Sequence, residues 1–236
     1  MHSSDFKIKN IFIVAAAGFG KRLNLGYPKQ FLEYNEKPLF IYPVLIAQFS
    51  DKIDKIIIVG GEDSIDKIKY ICDCYNITKL HKIVVGGKER QHSVYNAINE
   101  INNIKNLDNN PIIFVQDGVR IFFKEKYIDE SLKELENNNE IDGVLIGVPV
   151  KDTIKIIDDR GFILDTPERK TLISANTPQV FKYKILKDAY DYSYKNNFMS
   201  TDDSSLVEKI GGKIKVIIGD YDNIKITTIE DLRYIK

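Results

Sequence analysis

Apolar residues in this chain gather into short, nearly unbroken runs, separated by stretches in which they recur every three or four positions. Ile11-Phe12-Ile13-Val14, Ile56-Ile57-Ile58-Val59, Ile83-Val84-Val85, Ile112-Ile113-Phe114-Val115 and Val144-Leu145-Ile146 lack polar alternation. That is the pattern of strands covered on both faces. Between them lie helical spacings. A segment opening at Pro38 carries Phe40, Val44, Ala47 and Phe49 on one face. Ser64 to Cys74 would bury Ile65, Ile68 and Ile71, and a helix entered through Lys88–Val94 would bury Val94, Ala97, Ile98 and Ile101. Strand and helix alternating in this way predict an α/β domain with a mainly parallel sheet. Ligands of such sheets bind beyond the carboxyl ends of the strands.

From Asp142 the rhythm changes. The run Gly143–Val150 is followed by Asp158-Asp159-Arg160-Gly161 between Ile-rich flanks, a turn signal joining two short strands. Residues from about 150 to 173 therefore read as a β-arm leaving the main sheet, and an exposed arm invites pairing with a second subunit. A helix from about Lys184 to Tyr194 comes next, then a short helix capped by Thr201 or Asp202. Lys213–Ile218 reads as a late strand. Asn223–Thr228 alternates apolar and polar residues and leads to a short terminal helix at Glu230-Asp231-Leu232. With no internal repeat or long linker, residues 1–236 read as one domain with a protruding arm.

Composition narrows the function. Lys+Arg and Asp+Glu are both 34, so formal charge is zero. A general nucleic-acid or anionic-membrane surface is disfavoured, though a local cationic pocket is not. Cys72 and Cys74 are too few for a disulfide framework and read as reduced thiols of a cytoplasmic protein. The first ten residues lack a signal-peptide core, and no apolar run reaches membrane-spanning length.

The candidate chemistry sits where the predicted strands end. After Val14 come Ala15-Ala16-Ala17-Gly18-Phe19-Gly20, small residues that let a ligand lie against the backbone, with Lys21, Arg22 and Lys29 close behind. Glycine turn and cations together suit a polyphosphate. Neither a Walker loop nor a dinucleotide fingerprint fits, because Arg22 follows Gly20-Lys21 and Leu23 holds the sixth position of a fingerprint that starts at Gly18. A surface turn with solvated cations is the competing reading of this loop alone. The third strand ends at Gly86-Gly87, before a helix N-terminus able to bind phosphate. The fourth runs into Gln116-Asp117-Gly118-Val119-Arg120, where Asp117 could contact magnesium or a sugar hydroxyl, or simply pair with Arg120. His92 could be a general base, but a lone imidazole at a helix turn reads as structural or solvated.

Taken together, AAAGFGKR, PKQFL, GGKERQHSV, DGVR, PVKDTIK, TPER…ANTPQVF, TDDSSLVE and NIKITT, in order along the chain, resemble the cytidylyltransferases that make CDP-linked polyols. Within that group the chain looks most like the 2-C-methyl-D-erythritol 4-phosphate cytidylyltransferase family, with ribitol-5-phosphate cytidylyltransferases as near relatives. The resemblance implies a Rossmann-like (GT-A-like) nucleotidyltransferase fold, dependence on Mg²⁺ or another divalent cation, and a homodimer whose arms reach the partner's site. By residue matching it implies that Ala16, Ala17, Gly18, Gly20, Gly87, Ser93, Asp117 and Gly118 line the CTP site, with Asp117 also near the metal. Arg22, Lys29 and Lys225 would be catalytic. Arg120, Thr153, Arg169 and Thr201 would hold the polyol phosphate, Thr153 and Arg169 across the dimer. One loop departs from the pattern. The isoprenoid enzymes usually read His-Asp-Ala-Ala-Arg-Pro where this chain has Gln116-Asp117-Gly118-Val119-Arg120-Ile121. That leaves ribitol 5-phosphate, or a nucleotide-binding protein without turnover, as alternative readings.

Overall fold

The computed structural model describes residues 7–18 and 26–235. Seven strands form one sheet in the order β11-β7-β10-β6-β1-β4-β5. They are β1 (Ile8–Ala16), β4 (Lys55–Gly60), β5 (Leu80–Val85), β6 (Leu107–Asp117), β7 (Gly143–Pro149), β10 (Ile173–Lys182) and β11 (Ile214–Ile218). All neighbours run parallel except β10, which is antiparallel to both β6 and β7. A two-residue ladder, β2 (Glu33–Tyr34) with β3 (Lys37–Pro38), lies outside the sheet.

The unbroken apolar runs have the cause the sequence predicts. Side chains alternate across a strand, and here both faces are covered. Phe12, Val14, Ile56, Ile58, Phe114, Val144 and Ile146 face a layer that includes helices α1 (Ile41–Phe49), α2 (Ile65–Cys74) and α4 (Lys126–Asn137). Ile11, Ile13, Ile57, Val59, Ile113 and Val115 face α3 (Arg90–Glu100), α5 (Tyr183–Lys195) and α6 (Asp203–Lys209). The expected α1 face holds at Val44 and Ala47 but not at Phe49, which ends the helix and is 79% exposed. In α2 the buried residues are Ile68 and Cys72; Ile65 and Ile71 are half-buried. Burial pushes the Cys72 thiol up to about 12, so it stays protonated and inert.

Two elements go beyond the sequence expectations. α4 buries Tyr127, Ile128, Ser131 and Leu135, a helical spacing in a strongly polar segment. In β10 the register slips between Ala175 and Gln179, at Asn176-Thr177-Pro178, which hides the strand from pattern reading. The arm is a hairpin of β8 (Ile156–Ile157) and β9 (Ile163–Asp165). Its turn is set by Gly161, at φ +85°, and by Asp158, whose carboxylate accepts from the Phe162 N–H at 2.9 Å. Asn223–Thr228 joins no strand, and the chain closes with a 3-10 turn over Glu230–Tyr234.

Candidate active site

Beyond the carboxyl ends of β1, β5 and β6 opens a cleft of about 550 Å³, lined by Ala15–Gly18, Gly86–Arg90, Ser93, Asp117, Val119, Lys29 and Lys225. The glycine pair is dictated by space. A Cβ on Gly86 would lie 2.4 Å from the Ala17 Cβ, and one on Gly87 would lie 2.3 Å from the His92 Cβ. Ser93 Oγ fixes the turn, accepting from the Gly87 N–H and donating to the Glu89 carbonyl, both at 3.0 Å. His92 is a cap, its Nδ1 accepting from the Glu89 N–H at 3.3 Å in a reciprocal capping box that opens α3. The structural reading of this imidazole is thus correct.

At the centre is Asp117. Its Oδ2 is 2.7 Å from Lys225 Nζ and 3.7 Å from Arg120 Nε, and its Oδ1 is 3.2 Å from Arg90 Nε. Burial alone would raise the Asp117 pKa, but Arg90, Lys225 and Arg120 hold it well below the usual carboxylate range. The sign for stability follows. A depressed carboxyl contributes stability above its unfolded pKa of about 4, and that contribution is lost as pH falls further. Urea unfolding from pH 7 to pH 3 is therefore expected to show a loss below about pH 4 that shrinks in Asp117→Asn. An unchanged acid slope would contradict the ion-pair cluster.

Arg90 is the residue that sequence reading missed. Its other guanidinium nitrogens grip Asp203 at 3.0 and 2.8 Å, and Asp203, fully buried, also accepts from the Tyr190 hydroxyl. Burial opposes the Arg90 charge, yet Asp203 and Asp117 raise its pKa well above the ordinary value. Its position at the first residue of α3, directly after the glycine turn, was the available signal. Two buried glutamines hold the neighbouring loop. Gln91 Nε2 donates to Ser193 Oγ and the Phe198 carbonyl, and its Oε1 accepts from the Ser200 N–H. Gln179 Oε1 accepts from the Asp203 and Ser204 N–H groups, while Asp202 caps α6 through the Ser205 N–H.

Arg120 sits under the cleft, donating from Nη1 to the Asn223 carbonyl at 2.6 Å; burial lowers its pKa, and Asp117 opposes that fall. Its Nε has no hydrogen-bond partner among the described residues. Lys29 Nζ donates to the Ile226 carbonyl at 3.1 Å. Of the expected site residues, Ala16, Ala17, Gly18, Lys29, Gly87, Ser93, Asp117 and Lys225 line the cleft. Gly118 backs it, its N–H donating to the Ala15 carbonyl at 3.0 Å. Gly20 and Arg22 lie outside the described residues. Thr153, Arg169 and Thr201 are exposed and do not line the cleft in this chain. Arg169 instead donates to the Lys151 carbonyl at the base of the arm. The departing loop is largely internal, with Gln116 fully buried and Ile121 nearly so.

A glycine-walled cleft lined by Lys29, Arg90, Asp117 and Lys225, with Arg120 beneath it, at the end of a mainly parallel sheet, is where an α/β protein of this class can bind an anionic ligand. Comparison with known proteins carries this further. The model of the IspD family, 2-C-methyl-D-erythritol 4-phosphate cytidylyltransferase, matches residues 10–236. A relative of that name from Fusobacterium nucleatum subsp. nucleatum is 50% identical over 239 residues, covering 100% of both chains. One from Clostridioides difficile is 42% identical, covering 93% of this chain and 89% of its own. The 4-diphosphocytidyl-2C-methyl-D-erythritol synthase structure from Anaerococcus prevotii superposes with a TM-score of 0.82 at 30% identity, covering 96% of this chain and 94% of its own. The chain belongs to the 2-C-methyl-D-erythritol 4-phosphate cytidylyltransferase family.

Proposed function

We propose that this chain transfers the cytidylyl group of CTP to 2-C-methyl-D-erythritol 4-phosphate, releasing pyrophosphate and a CDP-linked polyol for isoprenoid precursor synthesis. The observation that carries the reading is the cleft itself, with Arg90, Arg120 and Lys225 gathered around one ionised carboxylate and Lys29 in its lining. An oxygen of the substrate phosphate attacks the α-phosphorus of CTP. The new P–O bond forms as the bond to the bridging oxygen of pyrophosphate breaks. No protein nucleophile is needed, because a phosphate monoester with a second pKa of about 6 is already anionic. Two anions must instead be aligned and the charge of the transition state neutralised, a task for fixed cations. By family resemblance Lys225 would meet the α-phosphate, and Lys29 and Arg22 the departing pyrophosphate.

A divalent cation fits the donor chemistry at Asp117, a hard carboxylate oxygen kept ionised by its neighbours. Magnesium there would supply Lewis-acid charge neutralisation. Asp117 is the residue that would hold it, with Lys225 beside it.

The proposal includes a cytoplasmic homodimer. Its support is the arm, whose Ile157, Phe162, Ile163 and Leu164 are each about three-fifths exposed. Thr153 and Arg169, carried on the arm, would then reach the partner's cleft. Sedimentation equilibrium is expected to give a dimer that Phe162→Asp weakens; a monomer at every concentration would remove the arm's role. Among the described residues no helix is long and apolar enough to cross a membrane.

The reaction is tested by pyrophosphate release with CTP and Mg²⁺, offering methylerythritol 4-phosphate and ribitol 5-phosphate in parallel. Preference for the first is expected. Preference for ribitol 5-phosphate would make the departing loop a specificity determinant, and CTP binding without turnover would indicate a nucleotide-binding protein.

A further inference from the structure

Lys225 and Lys29 approach the cleft from opposite ends of the sequence, and one apolar residue connects them. Ile226 is fully buried, although its segment belongs to no strand. Its side chain packs in a small cluster with Leu39, Val119 and Ile121, separate from the two layers that flank the sheet. Its N–H donates to the Val119 carbonyl at 3.1 Å, and its carbonyl accepts from Lys29 Nζ at 3.1 Å. The adjoining Lys225 reaches Asp117 Oδ2 at 2.7 Å. Every polar and apolar group of this residue is therefore spent on a different part of the site: the Asp117–Arg120 turn through its amide, Lys29 through its carbonyl, Lys225 through the chain.

We propose that Ile226 is a positioning residue, which sets the two lysines and the Asp117–Arg120 turn in one register, with Val119 and Ile121 as its seat. The inference rests on the reading of function given above. It also gives the departing loop a meaning. Val119 and Ile121, both in that loop, contribute to the pocket that holds the Ile226 side chain. Their apolar bulk serves the tail, whereas a polyol contact would need polar groups. Because side chains in a dense interior transmit displacement, a cavity at Ile226 would let the segment shift by a fraction of an ångström. A shift of that size at an aligned reacting group is costly in rate.

The test is Ile226→Ala beside Ile226→Val and a distant core control, Leu135→Ala, on the face of α4 packed against the sheet. All are assayed well below their melting temperatures. Ile226→Ala is expected to lower kcat for pyrophosphate release at least about tenfold with the Kd for CTP within about threefold. Ile226→Val, which keeps a β-branched side chain in the pocket, should restore most of the rate, and Leu135→Ala should keep kcat despite its lower Tm. A kcat loss in Ile226→Ala no larger than in Leu135→Ala would overturn the proposal. So would a crystal structure of Ile226→Ala in which the Lys225–Asp117 contact and the Lys29 bond to the residue 226 carbonyl persist unchanged. That structure reads positioning directly, so it remains decisive if the wild-type protein proves inactive and the functional reading alone fails.

Discussion

Lys29→Ala and Lys225→Ala are each expected to lower kcat by about a hundredfold or more, while the Kd for CTP changes by only a few fold. Both residues line the cleft, Lys29 held by the Ile226 carbonyl and Lys225 by Asp117. In the proposed reaction the charge they would neutralise is greatest when five oxygens surround the α-phosphorus and the pyrophosphate departs. Groups aimed at developing charge contribute most in the transition state, and deleting one such donor costs roughly 3 kcal/mol. On the proposed placement, with the cytosine at Gly87 and Ser93 and the ribose at Asp117, ground-state CTP would keep those contacts and lose little. Single-turnover rates and equilibrium CTP binding separate the two effects. A variant with near-normal kcat would take its lysine out of the mechanism; loss of CTP binding with kcat retained would make it a simple anchor.

The largest stability effect is expected at Arg90. Its guanidinium is the sole cation on Asp203 among the described ion pairs, and that carboxylate has no exposed surface. Arg90→Ala would leave Asp203 charged and buried with only the Tyr190 hydroxyl and the Gln179-held turn around it. Breaking a buried pair from one side costs about 3–5 kcal/mol. For a chain of this size that lowers Tm on the order of 10 °C. The mechanism also predicts partial rescue: with Asp203→Asn added, no unpaired charge remains, and part of the lost Tm should return. A loss under about 1 kcal/mol on chemical denaturation, or a double variant less stable than the sum of its parts, would show that the pair is not what holds α3 to α6.

How much of this was legible beforehand depends on what each signal requires. Strands covered on both faces announce themselves in Ile11–Val14 and Ile56–Val59, and glycines at the ends of strands mark where a ligand can approach. Those local signals located the cleft, and family motifs supplied the names of the residues in it. The rest depends on long-range contact. Nothing local says that Arg90 will meet Asp203, 113 positions away, or that Gln179 will hold the turn carrying Asp202. β10 escaped notice because Asn176-Thr177-Pro178 interrupts the apolar pattern, and its role is partly to seat Asp117, whose N–H donates to Thr177 Oγ1 at 3.1 Å. Phe49 illustrates the reverse case: five residues after Val44 and two after Ala47, it is turned round the helix away from their face and into solvent. Asp117 was open to two readings, ion pair or ligand contact. The ion pair with Arg120 is present, joined by Arg90 and Lys225, and the same cluster keeps the carboxylate ionised for a ligand.

The most direct test of cytidylyl transfer is ³¹P NMR of the purified protein with CTP, Mg²⁺ and 2-C-methyl-D-erythritol 4-phosphate. The account predicts that the CTP triphosphate and the monoester signals disappear together, replaced in equal amounts by inorganic pyrophosphate and a new diphosphate diester with two coupled resonances. Hydrolysis of CTP without that diester, or a monoester signal that persists while CTP is stably bound, would contradict it.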